Sequence, residues 1–200
     1  FESDTSADYD LHFDPNWDTP EFTWDTGAGT LGTDDSNLDY FLQVSALSVS
    51  QPIYVEIQGQ IFDNDSIGPM IRESDGSFLT AVACNDYDGA GHRNGQEAIV
   101  AHTSPPTDYY EGSYVLALGD LVDPSTPSRV GLFYDGSQAH YYLDGNWRGS
   151  ANRSATSTGA GLASFASSGN PGAEYEYLWV GPDPIDFDPH LRGSQASITT

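Results

Sequence analysis

Apolar and polar residues alternate in short runs along most of this chain. Between positions 53 and 62 the apolar side chains take odd positions, which are Ile53, Val55, Ile57 and Ile61. Polar side chains take even positions of the same run, which are Glu56, Gln58 and Gln60. A period of two is typical of a strand with one buried and one solvated face. Similar runs predict strands at 40–44, 77–84, 97–102, 114–118, 129–134, 139–143 and 175–180.

No helix is predicted, because no window of about a dozen residues keeps a 3.6-residue period without a glycine, a proline or a β-branched cluster. Asp-Gly pairs separate several of the strand-like runs, and such pairs favour type I′ hairpin turns, which need positive φ at both central residues. The predicted hairpins lie at Asp75-Gly76, Asp135-Gly136 and Asp144-Gly145. About a dozen short strands with frequent turns indicate an all-β sandwich or barrel.

Residues 129–136 and 140–147 together resemble the meander of the concanavalin A-like (laminin G-like) superfamily, in which a strand ends in Tyr-x-Asp-Gly at a hairpin. Residues 159–165 and 175–180 are similar to the closing strands of that superfamily, and 53–62 also fits its pattern. The resemblance implies an antiparallel two-sheet jelly-roll sandwich with little or no helix. This fold hosts lectins, adhesins, glycosidases, lyases and structural domains, so the resemblance alone assigns no function.

The resemblance and the turn pattern place the sandwich domain at residues 21–181. Residues 1–20 are interpreted as an N-terminal acidic arm, which is most polar over Phe1–Asp10. Residues 182–200 begin with prolines and fade into small polar residues, so they are interpreted as a C-terminal tail or linker.

The charge of the chain is extreme, with 30 Asp and Glu against 6 Lys and Arg and a formal net charge of −24. No lysine is present, and the six cations are Arg72, Arg93, Arg129, Arg148, Arg153 and Arg192. Such a surface suits molar salt, where the Debye length shrinks to about 3 Å and the carboxylates no longer repel one another at range. We therefore expect an extremely halophilic archaeon or its virus as the source. An acidic surface that binds a basic partner is the alternative, although the acids are spread along the whole chain.

The same composition excludes two classes of partner. Nucleic acid is not expected, because no basic patch is available to neutralise phosphates. Insertion into a membrane is not expected either, because no apolar run approaches the roughly 20 residues that span a bilayer.

Residues 86–97 have the spacing of a calcium-binding loop. Carboxylates stand at its positions 1, 3 and 12 and a glycine at position 6. The candidate ligands are Asp86, Asp88, the carbonyl of His92, Asn94 and Glu97. Two features depart from the helical calcium motif, because Ala90 cannot ligate and the flanking residues are predicted strands. The alternative is a polar, glycine-rich loop without a metal.

Trp147 follows the Asp144-Gly145 turn, and its polar neighbours are Asp144, Asn146 and Arg148. A loop tryptophan with planar polar neighbours provides a stacking surface and directed hydrogen bonds, which are the elements of sugar recognition. In the alternative interpretation, Trp147 packs under the edge of the sandwich while Arg148 pairs with an acid.

Glu174 and Glu176 stand two residues apart on a predicted strand and therefore on one face. Sandwich glycosidases similarly place catalytic acids on one strand, but the next position on that face is the apolar Leu178. Solvated acids are the favoured interpretation. The five histidines show no zinc-ligand spacing, and Cys84 lies in an apolar run that indicates a small buried side chain.

These observations predict a non-catalytic recognition or attachment module of a secreted, cell-surface or virion-surface protein. Its expected partner is a surface glycan or another envelope component, and glycosylation sequons at Asn64 and Asn152 agree with that location. The first alternative is a structural spike, decoration or filament subunit whose terminal arms dock onto neighbouring copies or onto a fibre or capsid scaffold. The second alternative is a glycosidase of the same fold.

Overall fold

A computed structural model describes residues 8–13, 22–33, 39–45, 47, 49–62, 66–84, 97–103, 112–119, 126–165 and 173–184. Fourteen strands occur in these ranges. Their bounds are β1 Tyr9–Phe13, β2 Phe22–Asp25, β3 Thr30–Thr33, β4 Asp39–Val44, β5 Ile53–Ile61, β6 Ser66–Glu73, β7 Phe78–Cys84, β8 Ala98–His102, β9 Ser113–Ala117, β10 Ser128–Tyr134, β11 Gln138–Leu143, β12 Asn146–Asn152, β13 Ser157–Phe165 and β14 Ala173–Gly181.

The strands form two seven-stranded antiparallel sheets. Sheet I has the order β1-β4-β13-β6-β7-β8-β9, and sheet II has the order β12-β11-β10-β5-β14-β3-β2. The architecture confirms the predicted all-β, two-sheet jelly-roll sandwich. Among the described residues, no helix is long and apolar enough to cross a bilayer.

The main hydrophobic core lies between the two sheets. Alternate residues of β5, namely Ile53, Val55 and Ile57, are buried there against Ile67 of β6 and Leu79 of β7. This is the face that the alternation of residues 53–62 predicts for the isoleucines and Val55. Burial of such side chains stabilises the fold by roughly 1.5–3 kcal/mol each.

The middle strands of sheet I are buried on both faces, whereas the alternation of residues 77–84 predicted a strand with one solvated face. On the face turned away from the core, Phe41, Phe78 and Phe165 pack together, and the Phe41 and Phe78 ring centroids are 4.7 Å apart. His102 is buried in the same cluster and stacks on Phe165 at 5.6 Å between ring centroids. β7 is consequently apolar on both sides, as in strands that are covered twice.

All three Asp-Gly pairs lie in hairpin turns, as predicted, but only one turn has the predicted type I′ geometry. Asp144 has φ 51 and Gly145 has φ 78, so both central residues of that turn are left-handed. Asp144 is the sole non-glycine residue with positive φ in the described ranges. In the longer loops at 74–77 and 135–137, the aspartate instead accepts hydrogen bonds from later residues of the turn. Asp135 Oδ1, for example, accepts from the backbone amides of Ser137 and Gln138 at 2.7 Å each.

The predicted N-terminal boundary differs from the structure. Tyr9–Phe13, inside the predicted arm at 1–20, forms β1 and pairs with β4 at the edge of sheet I. β2 and β3 were not predicted either, because each is only four residues long and contains few apolar positions. At the other end β14 stops at Gly181. Residues 1–7, 14–20 and 185–200, which make up most of the two predicted arms, lie outside the described residues.

Candidate functional site on the outer face of sheet II

One straight row of residues crosses five strands of sheet II on the face turned away from sheet I, which we call the outer face. Paired residues of neighbouring strands share a face, and the register aligns Trp147, Tyr142, Gly131, Glu56 and Trp179. We call these five residues the central row. Four steps between strands at about 4.8 Å each place its two tryptophans roughly 19 Å apart.

Both tryptophans of the central row are open to solvent. Trp147 is 60% exposed and Trp179 is 37% exposed. The indole Nε1 of Trp147 donates a hydrogen bond to Ser150 Oγ at 2.9 Å, which fixes the ring beside its own strand. Tyr142 lies next to Trp147 and is half-buried, and this burial raises the pKa of its hydroxyl. The outer face therefore carries flat aromatic surfaces at both ends of one row.

A buried carboxylate occupies the middle of the row. Glu56 is 1% exposed, and its two oxygens accept hydrogen bonds from the hydroxyls of Tyr54, at 2.5 Å, and Tyr177, at 2.6 Å. Burial, reinforced by the charge of Glu56, raises the pKa of Tyr54. Gly131 makes room for this cluster, because a Cβ there would lie 2.3 Å from the Tyr54 hydroxyl oxygen. The prediction that Glu56 is solvated is therefore wrong, since tyrosines from its own strand and from β14 cover it.

A β-bulge in β14 brings Tyr177 and Trp179 onto the outer face. The pairing with β5 shifts between Tyr175 and Tyr177, so the residues that follow reverse their orientation. Leu178 consequently packs against the core, and the prediction that it shares a face with Glu174 and Glu176 is wrong. Sequence reasoning missed Tyr177 and Trp179 as site residues, because strict alternation places them with the buried Tyr175.

A second row lies beside the central row and begins at the Asp144-Gly145 turn. It runs from Asp144 through Arg129 and Gln58 to Tyr177. Asp144 Oδ1 accepts a hydrogen bond from the Arg129 backbone amide at 2.9 Å, and Asn146 Nδ2 donates to the Asp144 carbonyl at 3.3 Å. The structure thus brings Asp144, Asn146 and Trp147 together at one exposed edge, and their role in glycan binding stays a prediction.

Arg148 departs from the predicted arrangement. It is the extra residue at a bulge in β12, and its Nε donates to Glu97 Oε2 at 3.3 Å. Glu97 is 1% exposed and directly precedes β8 of sheet I, so this ion pair links the edge strand β12 of sheet II to sheet I. Arg148 is therefore not grouped with Trp147 on the outer face. The alternative interpretation correctly predicted that Arg148 pairs with an acid. Its other part is wrong, because Trp147 is exposed and does not pack under the sandwich edge.

The predicted calcium loop falls mostly beyond the described residues. Asp86, Asp88, His92 and Asn94 lie in the range 85–96, which the structure does not describe. Glu97 is described, and it binds Arg148. No group of three or more His, Cys, Asp or Glu side chains that could hold a metal occurs in the described ranges. The calcium site stays a prediction.

The two glycosylation sequons and the single cysteine complete the set of candidate residues. Asn152 is exposed at the end of β12, where its Oδ1 accepts from Gln138 Nε2 at 3.1 Å. The second sequon, at Asn64, lies outside the described residues. Cys84 is the last residue of β7, and the predicted burial of its side chain falls outside what the structure describes.

No family model and no curated protein sequence matches the chain. Solved structures match it at low sequence identity over most of their length. The carbohydrate binding module CBM66 from Bacillus subtilis is 16% identical, with a TM-score of 0.57, 81% of this chain and 91% of that chain covered. A protein of unknown function with a galectin-like fold from Bacillus subtilis is 11% identical, with a TM-score of 0.65 and coverages of 90% and 91%. The exoplasmic/lumenal domain of VIP36 in its Ca2+/Man-bound form is 6% identical, with a TM-score of 0.56 and coverages of 87% and 82%. These matches show that the chain shares the jelly-roll fold of these structures.

Proposed function

We propose that this protein is a non-catalytic glycan-recognition module and that the outer face of sheet II is its binding site. The observation that carries the proposal is the central row, with an exposed tryptophan at each end and a hydrogen-bonded polar cluster between them. Trp147 and Trp179 are set at a separation that suits an extended oligosaccharide rather than a single sugar.

The chemistry of the row fits sugar recognition. Sugar rings stack their C–H faces on indoles, while their hydroxyls need a few polar groups in fixed positions. The hydroxyls of Tyr54 and Tyr177 both donate to Glu56. Tyr54 is buried, whereas Tyr177 is only half-buried, so the Tyr177 hydroxyl has an oxygen lone pair that can accept from a ligand. Glu56 is thus a positioning residue, because it sets the direction of both hydroxyl groups without itself reaching solvent.

The acids on this face support binding rather than hydrolysis. A glycosidase needs one carboxyl group that exchanges a proton with the substrate and a second that acts as nucleophile or base. Glu56 is buried and accepts hydrogen bonds at both oxygens, and Glu176 accepts from Gln58 Nε2 at 2.5 Å. The similarity to CBM66 and to the mannose-bound VIP36 domain points in the same direction at the level of the fold.

The proposed setting is a secreted, cell-surface or virion-surface protein that works in high salt. The net charge of −24 supports that setting. We include calcium in the proposal through the loop from Asp86 to Glu97, and the Ca2+-bound form of VIP36 supports it at the level of the fold. A structural subunit that docks through the predicted terminal arms, residues 1–10 and 182–200, is the alternative function.

Glycan-array binding in about 3 M KCl tests the proposal, with Trp147→Ala and Trp179→Ala compared with the wild type. Each variant is expected to lose at least roughly tenfold in affinity, because binding energy concentrates in aromatic anchors. The melting temperature of Trp147→Ala should hardly change, because Trp147 is 60% exposed, whereas Trp179→Ala removes a side chain that is 37% exposed and should lower it more. Phe62→Ala is the matched control, because Phe62 is 43% exposed but lies beyond the end of β5 and outside the central row.

Three results would count against the proposal. A wild-type protein that binds no glycan on the array favours the structural subunit. Hydrolysis of the bound glycans would make the protein an enzyme. If Trp147→Ala instead costs the roughly 3–5 kcal/mol of unfolding free energy typical of an emptied core position, Trp147 is a packing residue.

A further inference from the structure

We propose that the glycan bound on the outer face of sheet II carries an acidic group, a carboxylate or a sulfate, and that the Arg129 guanidinium binds it. This inference rests on the proposed function and adds the chemical class of the ligand.

Arg129 differs from the other described arginines in its contacts. Arg148 pairs with Glu97, and Arg153 pairs with Glu73. Arg72 donates to Gln43 Oε1 at 3.3 Å and lies over the Phe78 ring. Within the described ranges, the Arg129 guanidinium alone among the arginines has no hydrogen-bond or ion-pair acceptor.

The guanidinium lies inside the proposed site. Arg129 stands in the second row, one row away from Gly131 along the same strand. A Cβ on Gly145 would lie 2.9 Å from Arg129 Nη2, so the guanidinium is next to the turn that leads into Trp147. The positive charge of the guanidinium also opposes the rise in the pKa of the Tyr54 hydroxyl, so the guanidinium lies near the cluster of Tyr54 and Glu56. Arg129 therefore sits between the exposed tryptophan edge and the polar centre of the row.

The missing acceptor matters because acids are abundant in this chain. With 30 Asp and Glu and 6 arginines, an arginine that only stabilises the fold has many possible partners. Asp144 is its neighbour in the second row, but Asp144 Oδ1 accepts from the Arg129 backbone amide. The side chain is also half-buried, so its five N–H donors are partly removed from water without a protein acceptor. A planar guanidinium matches carboxylate and sulfate oxygens with two parallel hydrogen bonds.

The net charge of −24 opposes the approach of an anionic glycan at low salt. In molar salt the Debye length falls to about 3 Å, so this repulsion is screened while hydrogen bonds at contact distance remain. The preference for an acidic glycan is therefore expected to persist in about 3 M KCl.

The test uses matched probes that differ only in charge. These are oligogalacturonates with their carboxyl-reduced forms, and carrageenan oligosaccharides with their desulfated forms. The wild type is expected to bind the acidic member of at least one pair roughly tenfold or more tightly, which is the scale of a hydrogen bond to a charged group. Arg129→Gln should bring that ratio close to one, and Arg129→Lys should retain part of it. Arg72→Gln is the matched control, because it removes the same charge from sheet I.

The outcomes separate this inference from the proposed function. Equal binding of acidic and neutral probes overturns the acidic-ligand inference and leaves the glycan-binding proposal standing. A charge preference that Arg129→Gln does not change overturns the role of Arg129. Failure to bind any probe of either kind, together with an empty glycan array, overturns both. The melting temperatures of all three variants are measured in the same salt, and Arg129→Lys remains informative if Arg129→Gln does not fold.

Discussion

Three carboxylates are buried in the described part of this acidic protein, and each is held by specific hydrogen-bond donors. Glu56 accepts from two tyrosines, Glu73 binds Arg153 and Ser77, and Glu97 binds Arg148. A buried carboxylate without such partners would cost several kcal/mol, so each of these positions demands a specific donor. Two of the few arginines in the chain are used in this way.

The buried His102 gives the protein a pH-dependent stability. It lies 3% exposed beside Phe41 and Phe165, with Thr80 Oγ1 at 3.4 Å from its Nε2. Burial lowers the pKa of His102 from 6.5 to about 4, because the charged imidazole is poorly solvated there. The unfolded chain takes up a proton below about pH 6.5, whereas the folded chain does so only near pH 4. The unfolding free energy should therefore fall by up to about 3 kcal/mol as the pH drops through this window.

Denaturant unfolding of the wild type and of His102→Gln between pH 7 and pH 4 checks this prediction in constant salt. The variant has no proton to take up at this position, so its unfolding free energy should fall less steeply with decreasing pH. The difference between the two slopes removes the contribution of the carboxylates, which titrate in both proteins. Identical slopes would show that His102 is not the titrating group.

At the scale of elements, two β-bulges decide what the outer face presents. The bulge in β14 turns Tyr177 and Trp179 outward, and the bulge in β12 separates Trp147 from Gly149. Gly149 then lies close to Leu116 and Leu118, where a Cβ would approach their side chains to about 3.0 Å. One additional residue in a strand inverts the facing of all residues after it, so each bulge changes the chemistry of the whole sheet surface.

The loop from Asp86 to Glu97 carries the calcium prediction. Asp86→Ala is expected to weaken calcium binding strongly, because the ion needs six to eight oxygen ligands and loses a charged one. Isothermal titration calorimetry with the monovalent salt held constant measures the effect. Asp10→Ala, on β1, removes the same charge from another element and should bind calcium like the wild type. Absence of calcium binding by the wild type would contradict the prediction.

At the scale of the whole molecule, the net charge of −24 makes stability depend on salt. The midpoint of thermal unfolding is expected to rise as KCl increases from about 0.1 to 3 M, because shorter screening lengths reduce the repulsion within the compact state. Circular dichroism melts at a fixed pH measure the midpoint. A flat or falling curve would contradict the interpretation of the surface as an adaptation to high salt.

The sequence by itself determined the fold class. Alternation identified β5, β10 and β11, and the Asp-Gly pairs identified the hairpins, because periodicity and turn chemistry are local properties of the chain. The short strands β1, β2 and β3 escaped detection, since four or five residues give too little periodic signal. The sequence also identified Trp147 as a candidate site residue from its place after a tight turn.

Only the tertiary structure decided which residues share the site with Trp147. The alignment of Trp147, Tyr142, Glu56 and Trp179 depends on the register of four strand pairs. Two bulges without a local sequence signal set that register, and an ion pair between the sheets removes Arg148 from the site. Register and facing are fixed by pairing between strands that are distant in sequence. A local pattern therefore predicts that a strand forms, but it does not predict which side chains meet across the sheet.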